Sequence, residues 1–151
     1  MNRAPPAGEA AKPAPVERPA ALARLGALYD DLDREIAALA PKCELSGRCC
    51  DFPRSGLTLF ASDLELEWLR ERTRGVGNDD PALCPHWRGG RCEARDGRPL
   101  GCRLYFCDAT KAAALDDLSV RYHARLKRIH DETGHPYRYG PFLPRVRSSS
   151  R

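Results

Sequence analysis

Seven cysteines in a chain of 151 residues, two of them adjacent, constrain this sequence more than any other feature. They stand at Cys43, Cys49, Cys50, Cys84, Cys92, Cys102 and Cys107. An odd number leaves one thiol over in any complete disulfide scheme. No apolar stretch follows Arg3, as a secretory leader would require. The expectation is a cytoplasmic, reducing setting, where disulfides rarely persist and thiols stay available to metal. Metal ligation by these seven residues is therefore expected ahead of structural disulfides.

The rest of the composition points the same way. Leu, Ile, Val and Phe number 18, 2, 4 and 4, under a fifth of the chain, which is thin for a core. A thin core with many thiols suggests a fold stapled by something besides burial. Net charge is +4, too small to imply wholesale disorder. Residues 121–151 hold eight basic and two acidic side chains, so the C-terminal part is locally basic. An unidentified protein partner could use that segment; nucleic acid is not expected, because no aromatic-interleaved basic patch or DNA-reading motif is present. No stretch is long enough to cross a bilayer, so no membrane role is expected.

Along the chain, residues 1–18 are rich in Ala and Pro and are expected to be a disordered arm. Residues 19–143 are expected to form a cysteine-cluster metal-binding domain, and residues 144–151 a basic Ser/Arg-rich tail. Within the domain, Leu22, Leu25, Leu28, Tyr29, Leu32, Ile36 and Leu39 recur at helical steps over 19–39, with Pro41 as the stop. Ser62 with Glu65 three residues on is a capping box that opens a second helix. Gly89-Gly90 suits a small hairpin. Leu115, Leu118, Tyr122, Leu126 and Ile129 mark a third helix over about 110–132, with Gly134 after its end. The fold expected is mainly α: a small metal-stapled domain of about three helices with irregular cysteine-rich loops.

None of the seven cysteines falls on an apolar stripe, where a packed core thiol would sit. Four thiolates suit tetrahedral zinc or an iron–sulfur cluster. The spacing is neither the double C-x2-C of a zinc ribbon nor the bacterial ferredoxin run. Adjacent side chains tend to diverge, so Cys49 and Cys50 serve as ligands to different metals, or as one ligand and one packed thiol, more easily than both serve one small ion, and a disulfide between them would be strained.

The segments "CELSGRCC", "LCPHW" and "RPLGCRLYFC" together resemble the YkgJ-type cysteine-cluster family, described as a zinc- or iron-chelating domain. Cys43, Cys49 and Cys50 match three cysteines of that family's opening C-x2-C-x2-C-C motif, and Ser46 stands where the second would be. Cys84-Pro85, Cys92, Arg98-Pro99, Cys102-Arg103 and Cys107 match the rest. The resemblance covers about residues 40–110. It implies metal chelation, as zinc or an iron–sulfur cluster, and kinship with lysine N-methylases that carry a related cluster. His86, two residues after Cys84, is a candidate substitute for the missing thiol. Two further functions remain open: an enzyme like those methylases, and a zinc-stabilised interaction module. No glycine-rich nucleotide loop supports the enzyme.

The remaining candidates are weaker. His123 and His130 are two helical turns apart, too far to share one ion, and are expected at the edge of the third helix's stripe. His135, Tyr137, Tyr139 and Phe142 form an aromatic segment that could cover the cysteine-rich loops, or simply pack. Asp30, Asp31, Asp33 and Glu35, and Asp116 with Asp117, read as solvated helix charges.

Overall fold

The computed structural model describes residues 18–43, 49–73 and 78–148. Two long helices frame it, α1 (Arg18–Leu39) and α5 (Ala112–Thr133). Their apolar stripes face each other: Leu22, Leu25, Leu28, Tyr29 and Leu32 of α1 meet Leu115, Leu118, Tyr122, Leu126 and Ile129 of α5 in one buried cluster. The ion pairs across them, Arg24–Glu132, Asp31–Arg125 and Glu35–Arg121, run in opposite numerical order, so the helices are antiparallel. These pairs are largely exposed and fix register more than they stabilise. Helix α1 ends where Ala40 takes φ 48° ahead of Pro41. Helix α5 ends at Gly134, with φ 70° in the left-handed region that glycine adopts without strain.

Between them lie short elements. Helix α2 (Phe52–Ser55) leads to strand β1 (Phe60–Ser62), which runs directly into α3 (Asp63–Arg72). The capping box is present: Ser62 accepts from the Glu65 amide at 3.3 Å, and Glu65 accepts from the Ser62 amide at 2.7 Å. Strands β2 (Trp87–Arg88) and β3 (Arg91–Cys92) form the hairpin around Gly89 and Gly90, whose φ angles of 58° and 78° are those of a two-residue turn that favours glycine. Helix α4 (Leu100–Arg103) follows, then α5, strand β4 (Tyr139–Pro141) and helix α6 (Phe142–Ser148).

The fold is mainly α and small, as expected. It departs from expectation in three places. Residues 84–107 are not one irregular loop: Cys92 lies on β3 and Cys102 within α4. Strand β4 pairs antiparallel with β1, Phe60 opposite Pro141 and Ser62 opposite Tyr139, which period-based reading had no means to see across that separation. Residues 144–148 are not a tail. Val146 is buried, Arg145 pairs with Asp63, and Arg147 donates to the Asp80 and Leu83 carbonyls. The apolar Phe142 and Val146, four apart, supply the stripe that folds this helix onto the domain. Arg18 likewise belongs to α1 rather than to the arm, while residues 1–17 and 149–151 lie outside the described residues. Among the described residues, no helix is long and apolar enough to cross a membrane.

Candidate metal centre

Five of the seven cysteines come together beside α6. Cys49 and Cys50 occupy the turn before α2. Asp51, which caps α2, also forms an isolated antiparallel bridge with Leu83. One residue on, the Cys84 amide donates to the Cys50 carbonyl at 2.9 Å. This short ladder lays the adjacent pair against Cys84. The chain then turns, the Trp87 amide donating to the Cys84 carbonyl at 3.1 Å. Asn78 clamps the turn: its side-chain amide reaches the carbonyls of Cys84 and Trp87, each at 2.9 Å. The hairpin brings Cys92 back opposite Trp87.

Cys102 arrives on α4, which is only four residues long and has no stability of its own. Three contacts hold it. Pro99 caps it, its carbonyl accepting from Cys102 and Arg103. Buried Glu65 accepts from the Leu100 amide at 2.7 Å and from the Tyr29 hydroxyl at 3.2 Å. Arg103, 4% exposed, donates to the carbonyls of Arg98 and Asp96 and to the Asp33 carboxylate, over the face of Tyr29. Gly101 lets the segment lie close to β1, since a Cβ there would require the Leu59 side chain to shift.

The thiols are coupled through Cys50. The Cys50 thiol stands close to three other sulfurs, and its one proton, available to any of them, favours thiolate at Cys49 and Cys92, both pulled down to about 6, and at Cys84. The same contacts hold the proton on Cys50, well above an ordinary thiol. Burial above all raises Cys102, part of which still reaches the surface, and negative charge on Cys84, Cys92 and Cys49 adds to it. Cationic side chains oppose that crowding. Arg98 favours the thiolates of Cys49, Cys92 and Cys102, and Arg147 favours that of Cys84. Cys50 and Cys84 are buried in a second apolar cluster with Leu59, Leu66, Leu69, Phe142 and Val146.

This donor set fits a soft metal in number and type: five thiols, a compensating Arg98, and the buried indole N–H of Trp87, which packs on the same cluster without a hydrogen-bond partner. All five thiols are free, and among the described residues no group of three or more His, Cys, Asp or Glu is arranged to hold a metal ion.

The other candidates are placed as follows. Cys43 and Cys107 are exposed and outside the apolar cluster that holds the five. Ser46 lies outside the described residues. His86 is buried, and its backbone N–H, which hydrogen-bonds the Cys84 thiol, is what meets the cluster. Of the aromatic segment, Phe142 packs on the thiol cluster, its amide donating to the Leu59 carbonyl at 2.8 Å. Tyr137 and Tyr139 instead join His123, His130 and His135 away from the thiols. Sequence reasoning missed Asn78, Trp87 and Glu65 as supports of the site. Arg103 did carry a signal, in the Arg-Pro-x-x-Cys-Arg pattern, and its role is to anchor the loop.

No protein-family model matches this chain, and neither does any curated protein or solved structure.

Proposed function

We propose that this chain is a small metal-binding protein in which thiolates drawn from Cys49, Cys50, Cys84, Cys92 and Cys102, not all five on one ion, hold zinc or an iron–sulfur cluster. The observation that carries this is the convergence of five cysteines from four separate segments on one apolar cluster, Cys50 and Cys84 buried in it and Cys49, Cys92 and Cys102 packed against it. A soft cation displaces the protons that the sulfurs now share, since metal ligation and thiol deprotonation are coupled. Arg98 and Arg147 then balance the charge of a thiolate centre. The resemblance to the YkgJ-type family supports the same chemistry. Zinc would supply a closed structural site, and an iron–sulfur cluster would supply electron transfer.

The experiment is metal analysis with a visible spectrum, on protein purified without oxygen. Iron, labile sulfide and an oxygen-sensitive colour identify a cluster; stoichiometric zinc without colour identifies a zinc site. Protein so purified that carries only trace metal, and takes up none on reconstitution, would sink the proposal.

A further inference from the structure

Three of the four exposed large hydrophobic residues among those described, Phe60 on β1, Tyr139 on β4 and Tyr137 just before β4, stand in one strip. Their exposures are 39%, 37% and 42%. The rings of Tyr137 and Tyr139 are parallel to within 3° with centroids 5.9 Å apart, and Phe60 stacks on Tyr139 at 5.8 Å. Beyond Tyr137 the strip continues to His130, ring to ring at 5.0 Å, and from there to His135 at 5.3 Å. His130 is itself buried and its Nε2 has no partner.

We infer that this strip is a docking surface for a proline-rich segment, and that its occupant is the chain's own Ala/Pro-rich stretch, residues 4–16. Parallel aromatic rings standing side by side present ridges and slots that accept pyrrolidine rings, the mode by which polyproline segments are bound. The occupant follows from where the described chain begins. Arg18, the first residue of α1, donates to Glu67 at 2.8 Å. The other oxygen of Glu67 lies 3.6 Å from His135, at the end of the strip. Arg18, where the described chain begins, therefore lies beside the aromatics. The preceding stretch carries Pro5, Pro6, Pro13 and Pro15. In polyproline form its 13 residues span about 40 Å, which exceeds the three ring-to-ring steps from His130 to Phe60. Tethering makes the encounter intramolecular, at an effective concentration on the order of millimolar, so weak individual contacts suffice.

The test uses the full chain in solution. Proton Overhauser contacts between proline rings and the rings of Tyr137 and Tyr139 are expected at low protein concentration. The variant with Pro5, Pro6, Pro13 and Pro15 all changed to Ser should lose them and shift both tyrosines. Glu-specific proteolysis after Glu9 should be faster in that variant and in Tyr137→Ser/Tyr139→Ser, by about ten-fold for a docking constant near ten. Unchanged tyrosine resonances and equal cleavage rates would overturn the inference. So would contacts seen only between differently labelled copies, which would give the strip to a second chain. Metal content reads the thiol cluster separately, so a negative result here leaves that proposal untouched.

Discussion

The Cys84 amide donates to the Cys50 carbonyl at 2.9 Å, and this one backbone bond joins the segment that carries the adjacent cysteine pair to the segment that carries the hairpin. The metal centre depends on that junction, because it lays Cys49 and Cys50 against Cys84 in the apolar cluster on which Cys92 and Cys102 also pack.

Arg103 holds the α4 segment by its three-way guanidinium contact with Arg98, Asp96 and Asp33. Lysine keeps the charge but cannot donate in three directions in one plane. Arg103→Lys is expected to cost about 2 kcal/mol, the penalty for leaving buried carbonyls without donors. Urea denaturation reads it, and loss below about 0.5 kcal/mol, the size of an ordinary surface change, would mean that the anchor is incidental.

Glu65 accepts at both oxygens: Tyr29 and Leu100 at one, Ser62 at the other. Glu65→Gln preserves shape but turns one acceptor into a donor that must face a backbone N–H. The expected loss is about 2–3 kcal/mol, the cost of unsatisfied buried groups. Cys102 should also become more accessible to alkylation, since the Leu100 amide is its local tether.

Much of this frame was legible in the sequence, for physical reasons. The stripes of α1 and α5, the Ser62–Glu65 box and the Gly89-Gly90 turn are local, and local rules govern them. The pairing of β1 with β4 was not legible, because three-residue strands carry too little alternation to identify and their partners lie far apart in the chain. Helix α6 was hidden by its basic composition, although Phe142 and Val146 held the signal. The site was half legible. Residue type and spacing marked the cysteines as a group. That five of them meet while Cys43 and Cys107 stay exposed depends on the Cys50–Cys84 ladder and on Arg103, which no spacing encodes.

His130 gives a pH dependence. Burial is the main reason its folded-state value lies below that of an ordinary histidine. His135 and Glu65 also bear on it, the first through both its backbone oxygen and its ring. The unfolded chain therefore binds the proton first as pH falls, so stability is full above the unfolded value of about 6.5 and declines below it. His86 shares this sign, again through burial. Thermal melts between pH 7.5 and 5 should show a falling midpoint, with a smaller slope in His130→Gln. A midpoint that rises on acidification would contradict the assignment.

Metal removal should act unevenly. The α1–α5 cluster contains no cysteine, whereas Cys50 and Cys84 belong to the second cluster with Phe142 and Val146. A strong chelator is expected to abolish the near-ultraviolet signal of Trp87 and to expose α6 to protease, while much of the far-ultraviolet helical signal persists. Simultaneous loss of both signals would mean that the two clusters fold as one unit.

The most direct measurement is differential alkylation, read by mass spectrometry residue by residue on metal-loaded protein and again after chelation under anaerobic conditions. Cys43 and Cys107 should label readily in both states. Cys49, Cys50, Cys84, Cys92 and Cys102 should resist labelling while metal is bound and react once it is removed. Equal labelling of those five before and after chelation would contradict a thiolate-held metal at this site.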